Sequence, residues 1–309
     1  MTSITLTDRD ECPLCHTHEA TVFIAFPEIP VVRCLNCGFT YSSKVISGKE
    51  LSSYYENNFG SQRQMQGQLV NSIVNSMVLE RLLNFQDIST ILDVGTGYGF
   101  LLQKLCKRHN LHATGVDLSR QEAEYARNIL GVNVINSLLG NSGLSKGAYD
   151  LVTSFEVIEH VLYPTEFLLE LTEYLKPGGY LLTMTDNFDS RMAKSLGAGF
   201  PKWIPHSHIS HFSALTLRKT LEETGKLELV KSMSYTPWEI LLRNVYYKVR
   251  GITKTPSEAF NFASTMENEM KGTYRFFALR KLFNKAFVKL TLSSKMDGDL
   301  MYFLCKKIA

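Results

Sequence analysis

Several features that would assign this 309-residue chain to a narrow class of proteins are missing from its sequence. No stretch approaches the roughly 18 consecutive apolar residues of a membrane-spanning helix, and there is no internal repeat or low-complexity tract. Residues 1–8 contain neither a basic nor an apolar region, so no secretory signal is expected. Lys and Arg number 33 against 30 Asp and Glu, and this near balance excludes a disordered or strongly basic nucleic-acid-binding chain.

Cysteine is also scarce, but four of the six cysteines form two closely spaced pairs. Cys12 and Cys15 make the first pair, and Cys34 and Cys37 the second, with 18 residues between the pairs. This spacing is typical of a structural zinc site with four thiolate ligands. Two disulfides are the alternative, which the reducing cytoplasm expected for this chain disfavours. We therefore predict a cytoplasmic protein with bound zinc.

From residue 89 onward, apolar segments alternate between strand and helix patterns, as in a parallel sheet covered by helices on both faces. The strands are predicted at 90–94, 113–117, 132–135, 149–155, 180–185, 227–233 and 300–306. Two helices, at 48–58 and 64–85, precede this core, and 187–212 is predicted as a long loop. The predicted domains are a zinc knuckle at 1–45, a helical linker or lid at 46–85, a core at 86–235 with 299–309, and a helical cap at 236–298.

A glycine-rich loop follows the first core strand, where Asp93 precedes Gly95, Gly97 and Gly99. Glycine lets the backbone turn sharply and approach a ligand closely, and the helix that follows offers free amide groups. Dinucleotide-binding loops look similar but have the spacing G-x-G-x-x-G. The next strand ends at Asp117, whose carboxylate can accept hydrogen bonds from ribose hydroxyls. The loop spacing and Asp93 separate this chain from the dinucleotide-binding class.

Four segments, in order, resemble class I S-adenosylmethionine-dependent methyltransferases over roughly residues 70–235. They are D-V-G-T-G-Y-G at 93–99, G-V-D-L-S at 115–119, F-E-V-I-E-H-V at 155–161 and L-K-P-G-G-Y-L at 175–181. The resemblance implies an α/β fold with a Rossmann-like, seven-stranded sheet, an N-terminal zinc-ribbon-like knuckle and a helical insertion before the last strand. It also implies binding of S-adenosylmethionine, with Asp93, Gly95 and Gly97 at the amino-acid end, Asp117 at the ribose, Leu118 and Asn136 near the adenine, and Phe155 near the methyl group.

The zinc knuckle before such a core looks like methyltransferases of sugar, polysaccharide and natural-product pathways, among them the deoxysugar C-methyltransferases. The segment I-P-H-S-H-I-S-H-F-S at 204–213 is similar to their histidine run, in which a Glu-His pair is the proposed base. Ser207 replaces that Glu here, which weakens the case for carbanion chemistry. A histidine near its ordinary pKa is a suitable base for a hydroxyl acceptor. His208 is the first candidate for this base, followed by His211 and His160.

Glu156, Glu159 and His160 have a spacing that predicts one face of a turn at the carboxyl end of the fourth strand. A similar E-x-x-E-H in ubiquinone-pathway O-methyltransferases and small-RNA 2′-O-methyltransferases binds a divalent ion. Alternatively, His160 orients the turn without a metal. Both interpretations stay open on the sequence.

The C-terminal region is basic, with 15 Lys and Arg against 7 Asp and Glu over residues 225–309. Within it, basic residues alternate with aromatic and aliphatic ones in a helical pattern. The basic residues are Arg275, Arg280, Lys281, Lys285 and Lys289. This insertion is predicted to cover the acceptor. Docking of a second subunit and contact with a membrane that carries a lipid-linked acceptor are the alternatives.

The sequence thus predicts a methyltransferase that acts on a small-molecule hydroxyl, most simply that of a sugar, a glycan precursor or another metabolite, without nucleic acid as a partner. One alternative is a metal-dependent RNA methyltransferase that uses Glu156, Glu159 and His160 together with the basic C-terminal region. The other is a non-catalytic protein that retains the cofactor fold, against which the intact glycine loop and Asp117 argue. The oligomeric state is not determined by these patterns.

Overall fold

The computed structural model describes residues 5–47, 50, 61–262, 264–265 and 277–308. The helix predicted at 48–58 therefore lies outside the described residues, apart from residue 50. Arg275 of the predicted basic face lies outside them too. Within the described part of the chain, no helix combines the length and apolarity needed to cross a membrane.

The N-terminal region forms small antiparallel sheets from short strands. β1 pairs with β5, and β3 lies between β2 and β4. The strands are β1 (Leu6–Asp8), β2 (Ala20–Ile24), β3 (Val31–Cys34), β4 (Thr40–Ser42) and β5 (Lys44–Ile46).

The core is a seven-stranded sheet in the order β12-β13-β10-β9-β6-β7-β8, which confirms the predicted fold class. The first five core strands in the chain run parallel, and β13 pairs antiparallel with both β10 and β12. The strands are β6 (Thr90–Val94), β7 (His112–Asp117), β8 (Val134–Asn136), β9 (Tyr149–Phe155), β10 (Leu175–Asp186), β12 (Leu227–Tyr235) and β13 (Leu300–Lys307).

Helices cover both faces of this sheet. The first helix begins at a capping box, in which Ser61 and Gln64 each accept a hydrogen bond from the other's backbone amide. The helices are α1 (Gln62–Leu82), α2 (Phe100–His109), α3 (Arg120–Asn128), α4 (Pro164–Tyr174), α5 (Arg191–Leu196), α6 (Ala214–Glu223), α7 (Trp238–Arg250), α8 (Pro256–Ala259) and α9 (Phe277–Thr291).

Apolar side chains form two main clusters on opposite faces of the sheet. One cluster contains residues of α1, α2 and α3, and the other contains residues of α4 and α6. The second cluster also includes Cys12, Cys34, Phe39 and Tyr41, so the N-terminal sheets pack directly on the core. A third cluster joins Phe26 to residues of α5 and α7. The N-terminal region therefore contacts the rest of the molecule through two separate apolar clusters.

The long loop predicted at 187–212 is interrupted by α5, by a short 3-10 helix (Gly197–Gly199) and by the two-residue strand β11 (Ser210–His211). β11 pairs antiparallel with β4, with Ser210 opposite Tyr41 and His211 opposite Thr40. The histidine run therefore supplies the fourth strand of the N-terminal sheet. A two-residue strand and a six-residue helix are too short to produce a readable hydrophobic period, which is why the sequence did not indicate them.

Candidate active site

A cavity of about 1660 Å³ opens at the carboxyl ends of β6, β7 and β9, the edge where open α/β sheets bind their ligands. One part of the lining, here called the glycine half, contains Asp93, Gly95, Gly97, Asp117 and Leu118. A second part of the lining, here called the histidine half, contains Glu156, His160, Lys202 and His208. Residues of α1, α7 and α9 complete the lining. One cavity thus joins the predicted cofactor-binding loop to the predicted base.

The glycine loop adopts a conformation that side chains rarely tolerate. Gly95 has φ +77° and Gly97 φ +55°. A Cβ on Gly97 would lie 2.1 Å from Gln68 Oε1, and one on Gly95 would lie 2.3 Å from Val157 Cγ2. Glycine is therefore required here both by the backbone dihedral angle and by the lack of space.

Two predicted carboxylates of the glycine half are held by nearby donors. Asp117 Oδ2 accepts a hydrogen bond from the Gly97 amide at 2.6 Å, and Oδ1 accepts one from the Ser119 amide at 2.8 Å. Asp93 Oδ1 accepts one from the Thr153 hydroxyl at 2.6 Å. Burial raises the pKa of Asp93 to about 6 and raises that of Asp117. A carboxylate has about four acceptor sites, so Asp117 keeps capacity for ligand hydroxyls.

Two further residues of this half, Gln68 and Glu122, were missed in the sequence. Gln68 of α1 accepts a hydrogen bond from the Tyr98 amide through Oε1 at 3.0 Å and donates one from Nε2 to Glu122 Oε1 at 2.9 Å. Burial and the charge of Asp117 raise the pKa of Glu122 to about 8. No local pattern indicates that α1 crosses the glycine loop, so only the packing of this helix reveals the pair.

Of the three remaining predicted cofactor-binding residues, two line the cavity and one does not. Leu118 and Phe155 line the cavity, whereas Asn136 does not. The Asn136 side-chain amide instead donates to the backbone carbonyls of Asp117 and Leu118, at 2.9 and 2.8 Å. Its neighbour Ser137 does line the cavity, and the buried Ser137 hydroxyl has no hydrogen-bond partner among the described residues. Asn136 thus supports the loop, and Ser137 offers the polar group.

These observations fit S-adenosylmethionine. The glycine loop borders the cavity, Asp117 retains acceptor sites for ribose hydroxyls, and the Ser137 hydroxyl, which has no partner among the described residues, lines the same cavity as apolar Leu118. The residues that would hold the molecule are Asp93, Gly95, Gly97, Asp117, Leu118 and Phe155.

In the histidine half, a lysine and a histidine share one buried carboxylate. Lys202 Nζ lies 2.9 Å from Asp186 Oδ1, and His208 Nδ1 lies 3.4 Å from Asp186 Oδ2. Lys202 Nζ also donates to Glu156 Oε1 at 3.1 Å. Burial lowers the pKa of Lys202, but the two carboxylates outweigh this effect and raise it above its ordinary value, which keeps the ammonium charged.

Sequence reasoning did not indicate Lys202 and Asp186, which contact each other beside His208. Asp186 ends β10, and a carboxylate at the end of a parallel strand was a usable signal. Lys202 lies between short elements in the segment predicted as a loop, where no motif indicates it. Its approach to Asp186 and Glu156 is a result of tertiary packing.

The E-x-x-E-H segment forms a turn in which Glu156, Glu159 and His160 have different surroundings. His160 Nδ1 lies 2.9 Å from the Ser207 carbonyl, and the His160 and His208 rings meet edge to face at 4.8 Å. Glu159 is fully buried: Oε2 accepts a hydrogen bond from Thr185, and Oε1 has no hydrogen-bond partner among the described residues. Ligand atoms of Glu159, His160 and His208 lie within 4.8 Å of one another. Glu156 instead pairs with Lys202.

The other two histidines of the run lie outside the cavity lining. The His211 ring is buried against Phe188 and Trp203, at ring-centroid distances of 4.6 and 4.9 Å. The His206 ring packs against Phe260 and Phe262. The structure therefore brings His208 and His160 to the cavity but leaves His211, the second candidate base, in the aromatic core.

The helical insertion supplies the outer wall. Trp238 of α7 and Phe283 of α9 border the cavity, and their rings lie 5.5 Å apart. Arg280 pairs with Glu239 at 2.8 Å and also lines the cavity. The described helices of the insertion therefore contribute to the cavity lining, and its role as a cover over the acceptor stays a prediction.

The four paired cysteines converge at one point. Cys12 Sγ lies 3.6 Å from Cys37 Sγ, and Cys15 Sγ lies 3.5 Å from Cys34 Sγ. All four sulfurs lie within 4.8 Å of one another. A tetrahedral Zn²⁺ site with arms of about 2.3 Å has edges of about 3.8 Å, so this donor set fits zinc. The same distances exceed a disulfide bond of about 2.05 Å.

Comparison with known sequences identifies a family for the core. A family model described as a methyltransferase domain matches residues 62–231, more than half of the chain. Two curated relatives are both named ubiquinone biosynthesis O-methyltransferase. The one from Vibrio parahaemolyticus is 27% identical over 160 residues, covering 48% of this chain and 68% of the relative. The one from Rickettsia canadensis is 28% identical over 184 residues, covering 54% of this chain and 76% of the relative.

Among solved structures, the complex between the Haloferax volcanii Trm112 methyltransferase activator and the putative methyltransferase contains a similar chain. Its TM-score is 0.51 at 14% identity, and the match covers 84% of this chain and 98% of that chain. At such low identity the likeness shows the fold alone. The shared fold is the Rossmann-like sheet described above.

Proposed function

Since this chain belongs to the methyltransferase family and is an S-adenosylmethionine-dependent enzyme of class I, we propose that it methylates a hydroxyl group of a small-molecule acceptor. The single observation that carries the proposal is that the glycine half and His208 border the same cavity. The names of the relatives, which are O-methyltransferases, also support an oxygen acceptor.

S-adenosylmethionine is consumed as a co-substrate and supplies a methyl group already activated by a positively charged sulfur. Little acid or base chemistry is then required of the protein, which mainly has to align the acceptor and remove one proton. In balance, an oxygen–carbon bond forms, the carbon–sulfur bond breaks with its electron pair left on sulfur, and the hydroxyl proton passes to His208.

His208 is our candidate for accepting that proton, although it does not keep the ordinary pKa that was expected of the base from the sequence. Burial lowers its pKa well below the ordinary value, so the imidazole is neutral at pH 7. With Nδ1 facing Asp186 at 3.4 Å, the other ring nitrogen is available to the acceptor. The nearby Asp186 carboxylate stabilises the positive charge that develops on the ring, although the 3.4 Å contact does not have the geometry of a hydrogen bond.

The first test is a screen of hydroxyl acceptors with methyl-deuterated S-adenosylmethionine, read by mass spectrometry. His208→Gln should lower kcat about 10²- to 10⁴-fold, the usual contribution of a general base. Its Kd for the methyl donor should stay within about twofold by calorimetry, since no group of the glycine half changes. Unchanged turnover in His208→Gln would refute the assignment.

Two further histidine variants test whether the loss of activity is specific to His208. His112→Gln changes an exposed histidine at the start of β7 and should leave kcat unchanged. His211→Gln tests the second candidate base. A loss of activity seen only in His211→Gln would assign the base to His211, which lies outside the cavity lining. An acceptor that is an RNA would show itself by binding that weakens steeply with salt.

A metal-assisted reaction is the second candidate, favoured by Glu159 Oε1, which has no hydrogen-bond partner in the described part of the chain, and by the proximity of Glu159, His160 and His208. Burial raises the pKa of Glu159 well above its ordinary value, so a bound ion would have to displace a proton. Loss of turnover in EDTA that Mg²⁺ or Mn²⁺ restores, with zinc content unchanged, would support this candidate over a free histidine base.

We also propose that the helical insertion forms a lid over the acceptor. Trp238 and Phe283 support this role because both border the cavity and their rings lie 5.5 Å apart. Deleting residues 255–290 should abolish turnover and leave the donor Kd nearly intact. The milder variant Phe283→Ala should raise KM for the acceptor about tenfold or less, as expected for one lost aromatic contact. Full activity after the deletion would assign the insertion to assembly or localisation.

A further inference from the structure

An arginine of the N-terminal region contacts both chain segments that carry the histidines of the cavity. The Arg9 guanidinium donates from Nη1 to the Ile209 carbonyl at 3.2 Å and from Nη2 to the Leu162 carbonyl. Ile209 directly follows His208, and Leu162 lies two residues after His160. These contacts link positions that are 200 and 153 residues apart in the chain. One side chain therefore joins the histidine run to the E-x-x-E-H turn.

The N-terminal sheets hold this arginine in place. Arg9 directly follows β1, and its backbone amide donates to the Ser43 carbonyl at 2.8 Å. Its guanidinium carbon lies over the Tyr41 ring, 5.6 Å from the centroid, a favourable cation–π distance. Tyr41 is itself buried and pairs with Ser210 where β4 meets β11. The guanidinium is thus fixed by one set of elements while it binds another.

The chemistry of the guanidinium suits it to set a distance between two segments. Burial lowers the pKa of Arg9 to about 10, which leaves the side chain charged at neutral pH. Hydrogen bonds from a charged donor are roughly twice as strong as those between neutral groups. The donors also lie in one rigid plane, so two acceptors bound to them are held in a defined geometry.

Two further contacts tie the same segments together. The Ile209 amide donates to the Glu159 carbonyl at 2.8 Å. His160 Nδ1 lies 2.9 Å from the Ser207 carbonyl. A carbonyl oxygen only accepts, so this contact places the proton of the neutral His160 ring on Nδ1 and leaves Nε2 as the acceptor nitrogen. The spacing of the two segments therefore decides the tautomer of His160.

Arg9 does not line the cavity, whereas His160, Leu162 and His208 do. Any effect of Arg9 on a bound ligand must therefore pass through these neighbours. Resting on the hydroxyl methylation proposed above, we infer that Arg9 is a positioning residue, whose guanidinium fixes the histidine run against the E-x-x-E-H turn and thereby the orientation of His160 and His208. The N-terminal region then contributes to turnover without contacting a ligand.

The test observes the histidine rings of the full-length protein directly. Isotope-labelled histidine and long-range proton–nitrogen NMR distinguish the two tautomers at a pH of about 8, above the ordinary histidine pKa of about 6.5. Signals that disappear in His160→Gln identify this ring, and wild type should show its Nδ1–H tautomer. Arg9→Met, which removes the charge and the donors, should change this signal to that of a tautomer mixture. Arg9→Lys, which can still bind one carbonyl, should be intermediate.

Turnover is the second readout. Because a displacement of about 1 Å can cost about 10²-fold in rate, kcat of Arg9→Met should fall at least about tenfold. The donor Kd should stay within about twofold of wild type, and Arg9→Lys should recover part of kcat. Arg33→Met is the matched control, since the Arg33 guanidinium of β3 lies over the Phe23 ring at 4.0 Å. This control should match wild type in the His160 signal and in kcat.

An unchanged His160 signal in Arg9→Met, with or without a loss of kcat, would overturn the inference, and so would equal effects in Arg33→Met. If Arg9→Met does not fold, as judged by its donor Kd, Arg9→Lys decides the question: a wild-type His160 signal together with wild-type kcat would then refute the role of Arg9. The NMR readout does not require turnover. A changed tautomer in Arg9→Met, without any methylated hydroxyl in the acceptor screen of wild type, would refute the proposed function and leave the positioning role of Arg9 intact.

Discussion

The two halves of the cavity both contain buried carboxylates, but they stabilise them in different ways. In the glycine half, Asp117 accepts hydrogen bonds from two backbone amides, and none of the described residues pairs a cation with it. In the histidine half, Asp186 and Glu156 share the ammonium of Lys202. Backbone amides act as fixed dipoles that come with the local chain, whereas an ammonium must be delivered by another segment. The Asp117 carboxylate in the glycine half is thus held by backbone groups, whereas the carboxylates of the histidine half are held by a side chain from another segment.

The largest expected effect comes from breaking the support of the histidine half alone. Ser42 of β4 donates from its hydroxyl to the Pro205 carbonyl at 2.7 Å and from its amide to the Ile209 carbonyl at 3.0 Å. If zinc holds the four cysteines, as we propose, Cys34→Ser should release the metal and unfold roughly the first 45 residues. The histidine run then loses its partner strand, and a displacement of about 1 Å can cost about 10²-fold in turnover.

We therefore expect Cys34→Ser to lose about one zinc per chain by elemental analysis and at least about 10²-fold in kcat, with the donor Kd within about twofold of wild type. Cys106→Ser, which changes a cysteine of α2 outside the cluster, is the matched control and should keep both metal and activity. If carefully reduced wild-type protein contains no zinc, the knuckle interpretation is wrong. If Cys34→Ser weakens donor binding as strongly as turnover, the two halves are not independent.

The converse experiment breaks the glycine half. Asp117→Ala removes an acceptor for ribose hydroxyls and leaves the Gly97 and Ser119 amides without their partner, so the donor Kd should rise at least tenfold by calorimetry. At saturating donor, kcat should change much less than it does in His208→Gln. Unchanged affinity would remove Asp117 from the binding site. Asp117→Asn, which keeps one carbonyl acceptor, should give an intermediate value.

The smallest expected effect concerns the protonation of Glu122, a buried carboxyl group in the glycine half. Burial raises the pKa of Glu122 to about 8, above its ordinary value of about 4.3. Between these two values the folded protein keeps a proton that the unfolded chain has released. The free energy of unfolding of the donor-free protein should therefore fall as the pH rises through this window. Glu122→Gln removes this dependence. The stability of the variant relative to wild type should therefore be higher at pH 8 than at pH 5.

The difference between wild type and Glu122→Gln should be on the order of 1 kcal/mol by urea unfolding at the two pH values. Gln68→Ala, which removes the hydrogen-bond partner but not the carboxyl, should preserve the pH dependence. Parallel pH profiles for wild type and Glu122→Gln would show that this carboxyl keeps an ordinary pKa in the folded state.

The success of sequence-based prediction follows the same division. The strands at 90–94 and 149–155 were located to the residue, and Gly95, Gly97 and Asp117 are in the cavity where the motif implied. By contrast, His211 was a candidate base and lies in the aromatic core, and Lys202 was not indicated at all. Local motifs predict the glycines and the carboxylates at strand ends, whereas side chains that reach the site from other segments, such as Gln68 and Lys202, are missed.

The sequence by itself determined the parallel sheet, the glycine loop and the cysteine pairs, because hydrophobic periodicity, glycine dihedral angles and ligand spacing are local properties of the chain. Only the tertiary structure decided which histidine faces the cavity and which lysine accompanies it. Those positions depend on the pairing of β11 with β4 and on the meeting of β9, β10 and the loop at Lys202 around Asp186. Contacts between such distant segments depend on how whole elements pack, and no short window of sequence contains that information.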